Sequence, residues 1–306
     1  FVLLVKGADL FVDGACDLSA KLRIPAYIVG LTVVAFGTSL PEAAVSITAS
    51  LQGSNEIAIG NIIGSNMFNT LVVLGASALF APVAVKGNIL KRDFPFCIGI
   101  TAVMIVLLMT LNHGDIALTR LDGIILLALF AVFMVGSVVM GKKESKLIES
   151  AEDSKKADLP MWKCLLFIII GFVGVVVGGQ LTVKGARELA LMAGMSERVV
   201  GLTVVAIGTS LPELVTSITA TRKGDSGLAL GNAIGSNLFN ILFILGMSAT
   251  ICPLNVLSES IIDCIILLVS AVILYVFART KKTMNRWEGI VCVFLYVGYT
   301  AYLLIR

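Results

Sequence analysis

The chain has 306 residues, 58% of them hydrophobic and only 14% charged, with a mean hydropathy of +0.99 and a formal net charge of +3. That composition excludes an ordinary soluble domain. So small a net charge gives no reason to expect nucleic acid as a partner. Runs of about 20 apolar residues, long enough to cross a roughly 30 Å hydrocarbon layer as a helix, recur along the whole length. In chain order the predicted spans are residues 1–18, 26–51, 57–81, 94–111, 124–140, 161–190, 197–221, 228–251, 261–278 and 289–305. Those at 94–111, 124–140, 261–278 and 289–305 are the cleanest. The other six carry more Gly, Ser, Thr or Asn than contact with lipid requires. Phe1 already sits inside an apolar run with no initiating Met, so the first helix reads as a span shortened at its start and not as a cleavable signal peptide.

The stretch "GKKESKLIESAEDSKKADLP", residues 141–160, is the only long polar segment, and its mixed charge and Ser content predict a flexible linker. It divides the chain into a first half, residues 1–140, and a second, residues 161–306. With ten spans, one set of connections holds sixteen Lys or Arg outside the membrane, and the other holds only Arg120, Arg187, Arg198 and Arg306. By the positive-inside rule the linker is cytoplasmic, both chain ends are extracytoplasmic, and the location is the cell membrane as a multi-pass protein. Cys16, Cys97, Cys164, Cys252, Cys264 and Cys292 have no C-x-x-C spacing and read as reduced packing residues. The single histidine, His113, stands in a polar connection and cannot build a metal site alone. Lys6, Asp9, Asp13 and Asp17 in the first span, and Lys184 in the sixth, are expected to snorkel or to pair locally.

Shifted by 171 residues, segment 30–82 aligns with 201–253 without a gap, and 32 of 53 positions are identical. "GLTVVAFGTSLPE" answers "GLTVVAIGTSLPE", and "GNIIGSNMFN" answers "GNAIGSNLFN". Each copy fills the second and third spans of a five-span half. Because five is odd, the second half enters the membrane upside down. The predicted fold is therefore an all-α membrane protein of ten helices in two inverted five-helix repeats, the plan of secondary transporters whose sites lie at the midplane between repeats.

Both copies put a proline and a glutamate in the middle of an apolar run. A proline inside a helix lacks an N–H and presses on the carbonyl four residues back, at about 3 kcal/mol or more. Pro41 thereby frees the carbonyl of Gly37, Pro212 that of Gly208, and helices 2 and 7 are expected to be broken. In hydrocarbon such a break survives only where the freed groups line an enclosed or watery cavity. Carbonyls joined by hydroxyls and a carboxylate form the oxygen-rich nest that Ca²⁺ and Na⁺ prefer. Thr38, Ser39 and Glu42 share a helical face, as do Asn61, Ser65 and Asn69 on the next span. The second half repeats this with Thr209, Ser210, Glu213, Asn232, Ser236 and Asn240. Two carboxylates meeting in a low dielectric repel, so one takes a proton or a divalent cation neutralises both. The plainer readings are a simple proline kink, hydroxyls bonded back to their own helix, and a protonated structural glutamate; two mirror copies of the whole set weigh against them. Asn61 and Asn232 either join the site or tie helices together, and Asn66 and Asn237 are read as serving packing or interhelical hydrogen bonds.

On these motifs the chain resembles the cation/Ca²⁺ exchanger superfamily, and within it the prokaryotic Na⁺/Ca²⁺ exchangers, over the full ten-span layout. The resemblance implies exchange of Na⁺ for Ca²⁺ by alternating access, no cofactor, no enzymatic activity, and a central cluster of cation sites in the bilayer. It implies Glu42 and Glu213 as Ca²⁺ ligands that also serve Na⁺. Flanking sites would use Thr38, Thr209, the backbone carbonyls of Ala35 and Ala206, and the hydroxyls of Ser39, Ser210, Ser65 and Ser236, with Asn69 and Asn240 completing the set. Some relatives carry Asp where this chain has Asn240. Two neutral amides argue against K⁺ co-transport and leave two formal negative charges, which Ca²⁺ would balance. The first and sixth helices are expected to slide on the core, with the glycines of "GFVGVVVGG", residues 171–179, as the sliding face. The alternatives are a Ca²⁺ (cation)/H⁺ antiporter, weakened because Ser65 and Ser236 stand near where a proton-coupled relative has Glu, and, behind it, a cation channel.

Overall fold

A computed structural model of the chain describes residues 1–85, 88–109, 116–149, 159–194 and 206–305. The connection holding His113, residues 150–158 of the linker and the first letters of the second "GLTVVAIGTSLPE" lie outside them, whereas residues 141–149, expected to be flexible, continue the preceding helix. The described chain is almost wholly helical: α1 Val2–Leu22, α2 Ala26–Thr38, α3 Leu40–Leu51, α4 Asn55–Phe80, α5 Ile89–Met109, α6 Arg120–Glu149, α7 Met161–Met192, α8 Ala206–Thr209, α9 Leu211–Arg222, α10 Ser226–Ile251, α11 Ser258–Lys281 and α12 Arg286–Ile305. Among the described residues seven helices (α4, α5, α6, α7, α10, α11 and α12) are long and apolar enough to cross a membrane, or eight if α2 and α3 make one bent span. The chain is a multi-pass membrane protein. Helix α1 has spanning length but carries Lys6, Asp9, Asp13 and Asp17, and the predicted span 197–221 begins outside the described residues.

Burial ranks the helices. The apolar windows of α4 and α10 are 72% and 94% buried, whereas those of the other spanning helices lie between 17% and 44%. The two helices that carry "GNxIGSNxFN" are therefore the centre of the molecule. Both open into a π-helical turn, Asn69–Val73 in α4 and Phe239–Leu245 in α10, a device frequent at functional sites because it re-aims the side chains around it. Helix α10 lies against α2 with backbones in contact: a methyl built on Gly30 would meet the Leu228 carbonyl oxygen at 2.5 Å, and one on Gly235 would meet that of Leu31 at 2.5 Å.

The glycines of α7 do not form the expected sliding face on the core. A methyl on Gly171 would meet Phe11 Cα at 2.7 Å, one on Gly178 would meet Leu4 Cα at 2.7 Å, and Gly7 of α1 faces Gly174 and Val175 in return. Small residues let two helices approach until their backbones touch, and here they join α1 to α7. Only Gly179 turns to the core, where a methyl would lie 3.6 Å from Pro212 Cγ.

The charged residues of α1 reach further than expected. Lys6 and Asp9 pair locally at 3.9 Å, but Lys223 Nζ donates to Asp13 Oδ1 at 2.7 Å, and Asp17 Oδ2 accepts the Leu159 N–H at 3.1 Å. None of the six cysteines is in a disulfide, and Cys97, Cys164, Cys264 and Cys292 are buried. Four two-residue strands, β1 Val83–Ala84, β2 Ala117–Leu118, β3 Leu254–Asn255 and β4 Thr283–Met284, form two antiparallel ribbons, β1 with β4 and β2 with β3. Each ribbon joins one half of the chain to the other.

Candidate functional site

Helices α2 and α3 meet at Ser39, whose φ of −88° and ψ of 7° leave the helical region, and the axis turns by 49° there. Pro41 sits in the first turn of α3, where its missing N–H removes no intrahelical bond. The same geometry recurs at Ser210, with φ −93° and ψ 6°, and Pro212 in the first turn of α9. Glu42 and Glu213 thus belong to the first turns of α3 and α9, at the positive ends of their helix dipoles.

Both glutamates are fully buried, at 0% exposure. The two halves then cross. Ser39 Oγ donates to Glu213 Oε1 at 2.8 Å, and Ser210 Oγ donates to Glu42 Oε1 at 2.9 Å. Each carboxylate is held by the hydroxyl beside the opposite proline, so the acidic groups face one another across the junction of the repeats and away from lipid. Ser65 lies alongside Glu42, and Ser236 alongside Glu213. No ion pair with Lys or Arg involves either glutamate among the described residues.

The remaining predicted residues fall round this crossing with different degrees of engagement. Thr38 Oγ1 lies 3.1 Å from Asn232 Oδ1 and 3.4 Å from the Ala35 carbonyl, which also accepts the Ser39 N–H at 3.1 Å. The Ala35 oxygen thus already accepts one backbone N–H, and the single Thr38 hydroxyl proton goes either to it or, at the shorter distance, to Asn232. Thr209 is half-buried, in contrast with its counterpart Thr38 at 0%, and Ala206 begins α8. Asn232 Nδ2 donates to the Glu213 carbonyl at 3.3 Å and to Ser217 Oγ at 2.9 Å; Asn61 repeats this on the Glu42 carbonyl at 3.3 Å and Ser46 Oγ at 2.9 Å. Both asparagines therefore tie the helix after each glutamate to the helix bearing it. Asn66 and Asn237 make the interhelical hydrogen bonds expected of them.

Ser46 and Ser217 were not among the predicted residues. Each stands four residues after its glutamate and is identical in the two repeats, a helical-face signal present in the sequence.

Several buried oxygens here have no partner within hydrogen-bond geometry: Glu42 Oε2, Glu213 Oε2, Ser65 Oγ, Ser236 Oγ, Asn69 Oδ1 and Asn240 Oδ1. Buried acceptors are ordinarily satisfied, and an exception calls for a physical cause. The group combines carboxylate, hydroxyl and amide oxygens, and among the described residues no cluster of three or more His, Cys, Asp or Glu accompanies it. Such a donor set suits a hard cation and offers little to a soft one.

A family model described as sodium/calcium exchanger protein matches residues 1–139 and 163–305 of this chain. The chain is 39% identical over 305 residues to the putative antiporter CaxA of Alkalimonas amylolytica, an alignment covering 97% of this chain and 94% of that protein. It is 32% identical over 330 residues to the sodium/calcium exchanger MaX1 of Methanosarcina acetivorans, covering 97% and 94%. Among solved structures, the sodium–calcium exchanger NCX_Mj soaked with 2.5 mM Na⁺ and 0.1 mM Ca²⁺ superposes with a TM-score of 0.83 at 34% identity, covering 98% of this chain and 94% of that one.

Proposed function

The chain belongs to the sodium/calcium exchanger protein family, a family of cation transporters and not of enzymes, and from that premise we propose that it exchanges Na⁺ for Ca²⁺ by alternating access at the crossing of its two halves. The single observation that carries the reading is the reciprocal pair Ser39–Glu213 and Ser210–Glu42, which brings one buried carboxylate from each half to the same place. Two carboxylates with no basic partner among the described residues are neutralised by one Ca²⁺ or by Na⁺, and competition for the same oxygens couples the two flows.

In this reading Glu42 and Glu213 are the shared ligands. The hydroxyls of Ser39, Ser210, Ser65 and Ser236, the Thr38 and Thr209 groups, the carbonyls of Ala35 and Ala206, and the amides of Asn69 and Asn240 supply the remaining oxygens. The frame is ten spans in two inverted five-helix repeats, residues 1–140 and 161–306, joined by a cytoplasmic linker at 141–160, with both chain ends extracytoplasmic in the cell membrane. The mirrored bonds of Asn61 and Asn232 support the repeat, since they recur on equivalent residues in the two halves. Helices α1 and α7, joined through their glycines, move as one piece against the rest, with Gly179 on Pro212 as a point of sliding contact.

Glu213→Gln is expected to abolish ⁴⁵Ca²⁺ uptake driven by a Na⁺ gradient in inverted vesicles. Undiminished uptake removes Glu213 from the mechanism. Uptake in wild type driven by a pH gradient without Na⁺ replaces Na⁺ by H⁺ in the scheme.

A further inference from the structure

The two-fold pattern of the polar centre fails between the asparagines of the two "GNxIGSNxFN" helices. Asn66 Nδ2 donates to the Asn237 carbonyl oxygen at 3.4 Å. A carbonyl only accepts, so this bond fixes which end of the Asn66 amide points where and leaves Asn66 Oδ1 on the other side. That oxygen accepts from Asn240 Nδ2 at 3.0 Å. Asn240 must therefore present its NH₂ to Asn66 and its Oδ1 elsewhere, and that Oδ1 is buried without a donor.

The mirror bond, from Asn69 Nδ2 to Asn237 Oδ1, is not made: all the atoms it would use, with Asn69 Oδ1 besides, are buried and unpartnered. The sequence supplies the reason. Asn237 Nδ2 donates instead to Thr70 Oγ1 at 2.9 Å. The residue equivalent to Thr70 in the second half is Ile241, which has no hydroxyl, so Asn66 has no such competitor and remains available to Asn240. One Thr-to-Ile difference thus makes the two amides unequal: Asn240 is locked and Asn69 is not.

We propose that Asn66 is a positioning residue that holds the Asn240 amide with its oxygen toward the transported cation, and that the Thr70/Ile241 mismatch confines this lock to the second half. The inference rests on the reading that Asn240 faces the cation. An amide free to rotate presents its NH₂ as readily as its oxygen, and an N–H opposes a cation where a carbonyl oxygen binds it. A carboxylate at the same position has two oxygens and no wrong face, so it needs no such lock.

The test is a double-mutant cycle on half-saturating Ca²⁺ for Na⁺-driven ⁴⁵Ca²⁺ uptake, using Asn66→Leu in the wild-type and Asn240→Asp backgrounds. In the wild-type background Asn66→Leu is expected to raise half-saturating Ca²⁺ about tenfold, the scale of one misplaced polar group; in Asn240→Asp it should change the value by less than about twofold. Asn66→Asp, which keeps the acceptor oxygen, should restore most of the affinity. If Asn66→Leu fails to reach the membrane, Asn66→Ser carries the same cycle, since its hydroxyl is too short to span the gap. An equal effect in both backgrounds, or none in either, overturns the positioning role while leaving the cation site in place. Wild-type half-saturation in Asn240→Leu would instead overturn the reading on which the inference rests.

Discussion

Gly235→Ala tests how closely transport depends on the contact between α2 and α10. A methyl at this position would lie 2.5 Å from the Leu31 carbonyl oxygen and 2.8 Å from Ala35 Cβ, where ordinary contacts begin at 3.4 Å. Both obstacles are the body of α2 and not the end of a flexible side chain, so the helices must part by about 1 Å to restore normal non-bonded spacing. Overpacking of that kind costs about 1–3 kcal/mol, less than the roughly 5–15 kcal/mol by which folded domains are ordinarily stable. The geometry is less tolerant than the fold. Ala35 and Thr38 ride on α2, and Ser236 follows Gly235 on α10. An oxygen moved by about 1 Å leaves a Ca²⁺ shell whose bonds span only about 2.3–2.6 Å. The expected result is a fall of about a hundredfold in Na⁺-driven ⁴⁵Ca²⁺ uptake by inverted vesicles, normalised to the protein present in the membrane. Gly136→Ala and Gly298→Ala are the controls, because their added methyls meet no heavy atom within 4 Å among the described residues. Wild-type uptake by Gly235→Ala would refute the claim that this approach sets the ligand positions.

Asn232→Ala should lower the melting temperature of the purified protein more than Asn61→Ala. Both lose the tie to the preceding glutamate's carbonyl and a serine, but only Asn232 also faces the Thr38 hydroxyl and is fully buried; equal shifts would contradict the ranking, at about 1–3 kcal/mol per buried group left unsatisfied. Ala8→Cys with Val175→Cys, placed in one buried apolar cluster between α1 and α7, should form an oxidative crosslink in a background without the native cysteines and leave uptake intact. Arrest of uptake by that crosslink, reversed by reduction, would show that the two helices move against each other.

The broad plan was legible because a repeat leaves letters behind. Proline and glutamate recurring in apolar surroundings identified the breaks, the buried acids and the helix faces, all of which follow from local spacing. What the sequence left open depends on which elements meet. The small residues of α7 signalled a close contact, but nothing in their spacing distinguished α1 from the core as the partner. Asp13 was expected to pair locally because its partner, Lys223, comes near only when α1 docks beside the end of α9. The two-residue strands are too short for an alternating pattern, and they exist because the connections bearing them are brought side by side. Asn66 and Asn237 are read as serving packing or interhelical hydrogen bonds, and their inequality becomes apparent only once Thr70 and Ile241 are placed next to them. The glutamates are legible in a repeated motif; their crossing to the opposite serines requires the packing of four helices.

The two β-ribbons constrain how the chain can be made. Val83–Ala84 is translated early, yet the segment that completes its hydrogen bonds, Thr283–Met284, emerges with the last helix. Until then the amino-terminal portion has an open edge, and the pairing of Ala117–Leu118 likewise waits for Leu254–Asn255. Insertion into the bilayer can proceed helix by helix, but closure of the molecule is a late event, and a polypeptide stalled before its final loop would expose unpaired backbone at both unfinished seams.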